Sequence, residues 1–211
     1  MSSEKQQTVG TAISLDGIGV HSGEEAKLTF RPADPDTGIV FRRSDLEDAP
    51  EIPADLDHVV ATELGTTLGT GEDIQVHTVE HLLAALSSQQ VDNAVVELTG
   101  PEIPIRDGSF MDYVSAIRDA EVVEQEEEVR RIELHHAVSV SGGEGGSYVA
   151  APGEGLRISG SIDFDHPAIR RQYGAFVIDP ESFAAELAPA RTFGFVTQWD
   201  ALRERGLALG A

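Results

Sequence analysis

One helix constrains this chain more than any other feature. From Thr78 to Ser88 the sequence reads T-V-E-H-L-L-A-A-L-S-S. Val79, Leu82, Leu83 and Leu86 fall at i, i+3, i+4 and i+7, one apolar stripe of an α-helix. Thr78 is placed to cap its amino end. At about 100° per residue, His81 points nearly opposite the stripe. Ala84, Ala85 and Ser88 flank it. A face of small residues around one histidine lets a second layer approach closely. The segment therefore reads as a helix held between two layers, with His81 buried in their interface or lining a cleft.

The rest of the first block supplies those layers. Thr8 to Leu15 and Ala26 to Phe30 alternate apolar and polar residues, as half-buried strands do. The glycines of G-I-G-V-H-S-G (17–23) resemble a nucleotide loop only weakly, because a strand rather than a helix follows; a turn closing a hairpin suits them better. Asn93 to Leu98 is nearly continuous in apolar residues and reads as a buried strand, ended by Gly100-Pro101. Asp107-Gly108-Ser109 then caps a second helix with its stripe at Phe110, Tyr113, Val114 and Ile117.

An acidic run follows, E-Q-E-E-E-V-R-R from Glu124 to Arg131. It reads as a solvated segment. It divides a first domain (1–125, with the helix at 78–88) from a second (132–211), with 126–131 as acidic linker. The second block begins again with strands, over 132–140, 147–151 and 156–164, with a turn at Gly142 to Gly146. Helices are expected at 180–187, with Pro near the first turn, and at 199–205. The element order echoes the first block without completing it.

Charge narrows the function classes. Among 211 residues, 15 Lys and Arg face 37 Asp and Glu, a net charge of −22. Such a surface opposes nucleic acid and anionic membranes; it reads first as a matter of solubility or habitat. No apolar run approaches a membrane span and no leader-like stretch opens the chain, so a cytoplasmic location is expected. There is no cysteine, hence no thiolate ligand or nucleophile and no disulfide. A transition metal would depend on His, Asp and Glu.

The densest chemistry lies at His77-Thr78-Val79-Glu80-His81. Read bare, it matches the inverted zinc-peptidase motif H-x-x-E-H. That motif needs both histidines on the helix, and a cap at Thr78 leaves His77 outside it as an ordinary histidine. Glu80, in the first turn, is favoured by the helix dipole. It is either a general base beside a metal or simply a residue that suits a helix start.

The chain resembles the UDP-3-O-acyl-N-acetylglucosamine deacetylase family, the zinc amidases of bacterial lipid A synthesis. The resemblance rests on five segments in the family's order: Gly17 to Gly23; T-V-E-H-L-L-A-A-L (78–86); E-I-P-I-R-D-G-S (102–109); I-D-F-D-H-P-A-I (162–169); and A-R-T-F-G-F (190–195). It implies an α+β fold, a two-layer sandwich of two similar domains. Each is a mostly antiparallel sheet with two helices, the helices packed between the sheets and the second domain incomplete. It implies His81 as a zinc ligand, Glu80 as the base that activates water at the metal, and the Thr192 hydroxyl as a donor to the oxyanion. Phe193 would line the sugar pocket, and Phe164 with Asp163 and Asp165 the uridine side. Val20 and His21 would sit at the mouth, and Asp107 would act as a turn residue supporting the site from behind.

Position 77 departs from the inverted-peptidase reading, since the family takes no ligand there. The family's remaining His and Asp ligands have no counterpart before residue 211. The resemblance therefore implies that further Zn²⁺ ligands lie beyond this chain and that the 211 residues alone are inactive. The implied substrate is UDP-3-O-acyl-N-acetylglucosamine, giving acetate and the free amine. Phe195, Val196, Trp199, Leu202 and Leu207 have the composition of an apolar passage for its acyl chain. The segment around Asp55 to Val60 looks most like forms joined to a 3-hydroxyacyl carrier-protein dehydratase. The alternative is a non-catalytic module of the same fold that binds a sugar nucleotide or a protein.

Overall fold

The structure, a computed structural model, describes residues 4–142 and 146–211. Strands β1 (Lys5–Val9), β2 (Ile13–Ile18), β3 (Glu25–Pro32), β4 (Ile39–Arg43) and β5 (Glu51–Pro53) open the chain. Three short strands follow: β6 (Val59–Ala61), β7 (Thr67–Gly69) and β8 (Gln75–Val76). Then come helix α1 (Glu80–Ser88), β9 (Ala94–Leu98), α2 (Met111–Asp119) and β10 (Val122–Glu128). The fold is α+β, as the sequence implies.

The main sheet has the order β2-β3-β9-β4-β5, antiparallel except where β4 runs parallel to β9. Alternation places Ala26, Leu28 and Phe30 of β3 on the same face as Ala94, Val96 and Leu98 of β9. That face meets Leu82, Ala85 and Leu86 of α1 and Tyr113, Val114 and Ile117 of α2 in one core. Full burial of one such apolar side chain is worth about 1.5–3 kcal/mol, so this layer contact dominates the stability of the block.

Two local readings give way. The expected strand 8–15 is broken at Gly10, whose amide, with that of Thr11, donates to Ala120 O at the end of α2. The halves join different sheets, β1 with β10 and β2 with β3. The acidic run is not a linker along its length either. Val122–Glu128 is a strand antiparallel to β1, and the Val129 amide donates to Glu4 O. Its charges face solvent while Gln125 turns inward. Its amide donates to Ala33 O, and its carbonyl accepts from buried Asn93.

Beyond residue 131 the strands form two separate hairpins, β11 (Val138–Ser141) with β12 (Ser147–Ala150) and β13 (Leu156–Phe164) with β14 (Arg170–Ile178). The expected strand 132–140 is ordered as strand only in its last part. Residues 143–145 of the Gly142–Gly146 turn lie outside the described residues. Asp179 caps a short helix α3 (Pro180–Ser182), accepting from the amides of Glu181 and Ser182, with Pro180 in the first turn. A π-helical turn (Phe183–Leu187) continues it, and α4 spans Val196–Glu204. Among the described residues, the buried apolar side chains after residue 131 are Phe183, Ala188 and Ala208. Phe183 meets Phe110 edge-on at 5.4 Å, so the helical elements of the two blocks do face one another.

Candidate active site

The expected residues Glu80 and His81 stand at the amino end of α1. The helix starts at Glu80, with Val79 as cap residue and no side-chain cap. Thr78 does not cap it. Its backbone is left-handed (φ 59°), and its hydroxyl turns away to donate to Glu102 Oε1 at 2.7 Å. His77 lies before the helix, bridged to Glu102 by backbone bonds, with its Nδ1 at 3.0 Å from Thr67 Oγ1. The two histidines of H-x-x-E-H therefore do not share a helix face. His77 is half-buried rather than an ordinary surface residue, and burial pushes its imidazole below the usual value.

Glu80 is aimed from two sides. The helix fixes its Cα, and its carboxylate Oε2 accepts the Thr66 amide at 2.9 Å. His81 is buried, its ring stacked on Phe110 at 5.0 Å. Burial lowers its pKa, with Glu80 opposing, which favours the neutral imidazole that ligates metals. Its Nδ1 is buried without a hydrogen-bond partner.

The turn expected at the mouth lies close to this helix end, through loop 64–66. Residues 17–23 close the β2–β3 hairpin as expected, and Val20 and His21 are half-buried there. His21 Nε2 donates to Leu64 O at 3.2 Å. One loop, 64–66, thus contacts both His21 and Glu80. Leu209 and Gly210 donate backbone bonds to the carbonyls of His21 and Val20, laying the last described residues along the same turn. The turn's glycines serve close approach. A Cβ on Gly19 would collide with the Glu102 carboxylate, and one on Gly17 with Pro104.

Segment 102–110 joins these parts to the second block. The Ile103 amide donates to His77 O and the Ile105 amide to Ile18 O. The Thr192 amide donates to Gly108 O at 2.9 Å, and the Phe110 amide to Ala188 O at 3.0 Å. Thr192 and His81 are both anchored to this turn, one by a backbone bond and one by a ring stack. Asp107 is an exposed turn residue. It accepts from the Ser109 amide and hydroxyl, which hold its carboxyl below the usual range, and Arg191 lies 3.9 Å away.

Phe193 is 56% exposed. Phe164, Phe193 and Phe195 form an aromatic cluster with ring centroids 5.6–5.8 Å apart, and His166 packs on Phe195. A shallow cleft beside it is lined by Asp163, Phe164, Asp165, His166, Pro167 and Arg170. The predicted sugar-side and uridine-side residues are thus brought together with one another.

Residues 6–211 match the family described as LpxC: UDP-3-O-acyl N-acetylglycosamine deacetylase. The chain belongs to the LpxC family. It is 44% identical over 207 residues to the UDP-3-O-acyl-N-acetylglucosamine deacetylase of Brucella ovis, covering 98% of this chain and 71% of that protein. It is 42% identical over 208 residues to the bifunctional enzyme LpxC/FabZ of Chlorobaculum tepidum, covering 98% of this chain but only 44% of that protein. The chain thus spans less than half the length of one relative and about seven-tenths of the other.

For an LpxC-family chain the metal question follows directly. A catalytic zinc takes three protein ligands. Among the described residues, no three His, Asp or Glu side chains lie close enough to hold an ion. The buried His81, its Nδ1 without a partner, has the chemistry of one ligand position, and Glu80 precedes it in sequence. Two residues escaped the sequence reading. Phe110 appeared only as part of a helix stripe, yet it stacks on His81. Glu102 appeared only inside a motif, yet it is 2% exposed and accepts four hydrogen bonds from three residues. An acid set between Pro101 and Ile103 in a buried apolar segment was the available signal.

Proposed function

We propose that this chain forms part of a zinc-dependent amide hydrolase that removes the acetyl group of UDP-3-O-acyl-N-acetylglucosamine in lipid A synthesis. The observation that carries the reading is the amino end of α1, where a base aimed by Thr66 precedes a buried, unpartnered histidine. His81 would hold the zinc. When bound, the ion polarises the amide carbonyl and acidifies water. Glu80 takes the proton from the attacking water. The Thr192 hydroxyl donates to the carbonyl oxygen as it gains charge, its backbone held by Gly108 O.

Phe193 and Phe164 offer stacking faces for the sugar and uridine, with Asp163 and Asp165 beside them and Val20 and His21 at the mouth. Asp107 steadies the Arg191–Thr192 segment. Val196 and Trp199 of α4 are exposed apolar surface for the acyl chain. No described helix is long and apolar enough to cross a membrane. With a sugar nucleotide as substrate, we assign the reaction to the cytoplasm. With one candidate ligand, the 211 residues alone should bind zinc weakly and release no acetate.

The test is acetate release from the sugar nucleotide by the full gene product loaded with zinc. Release abolished by chelation and restored by zinc supports the reading. A fully loaded protein that binds the nucleotide without hydrolysis would favour the non-catalytic module.

A further inference from the structure

We propose that Glu102 is a positioning residue, a buried carboxylate that locks the mouth turn 17–23 to the amino end of α1. Its placement is unusual for an acid. It is almost fully buried, and no Lys or Arg is among its hydrogen-bond partners. Its oxygens are instead met by donors. Oε1 accepts from the Thr78 hydroxyl at 2.7 Å and the His21 amide at 3.1 Å. Oε2 accepts from the Ser22 amide at 2.7 Å and the His21 amide at 3.1 Å. Burial pushes its pKa up, but the bonds from Ser22, Thr78 and His21 together outweigh that and leave it below the usual value.

The donors come from two pieces far apart in sequence, which loop 64–66 and the backbone of segment 103–105 also bridge. His21 and Ser22 belong to the hairpin turn. Thr78 belongs to the entry of α1, two residues before Glu80. Thr78 is also held in a left-handed conformation that a β-branched residue adopts only under constraint. The hydroxyl bond to Glu102 is that constraint, and it sets the direction in which the helix leaves. Gly19 completes the arrangement, since any side chain there would displace the carboxylate. The carboxylate thus fixes the mouth and the base relative to each other without touching the reacting atoms.

The proposal rests on the deacetylase reading for its catalytic consequence but not for its structural one, and the experiment separates them. Glu102→Gln keeps the shape but turns an N–H₂ group toward amide and hydroxyl donors. In this chain, NMR hydrogen exchange should show the Ser22 and His21 amides losing protection at least tenfold in Glu102→Gln. The Leu28 and Val96 amides of the main sheet should keep theirs. Thr78→Ala should loosen the same two amides, and Thr78→Ser, which keeps the hydroxyl, should restore them if the Glu102 variant folds poorly. In the zinc-loaded full gene product, Glu102→Gln should lower kcat at least tenfold with KM within twofold and zinc content unchanged. Unchanged Ser22 and His21 protection in Glu102→Gln and Thr78→Ala overturns the proposal. So does lost protection with kcat unchanged in an active enzyme. A wild-type protein that never deacetylates defeats the functional reading instead, and the exchange result still decides the lock.

Discussion

The two halves of the molecule solve the burial problem differently. Up to β10 the strands of the main sheet contribute to one core shared with α1 and α2, and Leu28, Phe30, Leu82, Val96 and Ile117 are wholly inaccessible. Beyond residue 131 the strands pair but cover little. All four residues of β11 and of β12 are exposed, as is β13 up to Phe164. Isolated two-stranded ladders are marginal in water. The difference bears on the site. Glu80 and His81 stand on the buried half, whereas Thr192, Phe193 and Phe164 stand on the half with little core. The second set takes its position from backbone bonds to the 108–110 turn and from the Phe110–Phe183 contact. Local stability should follow that division.

The largest effect that could break the comparison is a core truncation. Leu82→Ala in α1 should cost about 2–5 kcal/mol. Ile158→Ala in β13, 51% exposed, should stay within about 0.5 kcal/mol. Urea unfolding of the two variants checks this, and equal losses would dissolve the distinction. Asn93→Ala comes next. It strips the Gly38 amide of its acceptor and removes one donor each from the carbonyls of Gln6 and Gln125. A fully buried donor left unpaired costs about 1–3 kcal/mol; this site is part-buried, so the loss should fall at or below the low end of that range, again read by urea unfolding, and a neutral result would detach the acidic strand from the core. Smaller is Arg118→Ala, which cuts bonds to Gln89 and to Pro180 O across the halves. Being half-exposed, it should cost under about 1 kcal/mol. Exchange at Ser182 and Phe183 should rise while α1 keeps its protection.

The subtlest test is a pH dependence. Because the folded Glu102 pKa lies below its ordinary 4.5, the unfolded chain binds more protons between those values, and stability rises with pH there. The contribution is complete above 4.5 and is lost as pH falls through the folded value. The stability gap between wild type and Glu102→Gln should therefore shrink on acidification below 4.5. A constant gap would mean the carboxylate's charge is irrelevant.

How much of this was legible depended on the range of the deciding interaction. Helix α1, its stripe and buried His81 follow from local period, and β13 matches its expected limits at both ends. Thr78 failed as a cap because its hydroxyl is claimed by Glu102, 24 residues away. The acidic run failed as a linker because its pairing with β1 and the inward Gln125 are invisible to a reading of charge alone. Strands 8–15 split at Gly10 because the end of α2 takes its amides. In the second block single strands could be read, but their arrangement as separate hairpins could not, since alternation predicts a face and not what covers it. The site residues are expectations from the family's motifs. The residues that hold them in place, Thr66, Glu102 and Phe110, act through tertiary contacts that no motif spells out.

The central claim is that Glu80 at the start of α1 is the base of an amide hydrolase whose metal His81 holds. The most direct measurement is zinc content and acetate release for the full gene product and its Glu80→Gln variant. General-base catalysis contributes about 10²–10⁴-fold, so the variant should lose at least a hundredfold in rate while retaining its zinc. A Glu80→Gln protein that releases acetate at the wild-type rate would contradict it.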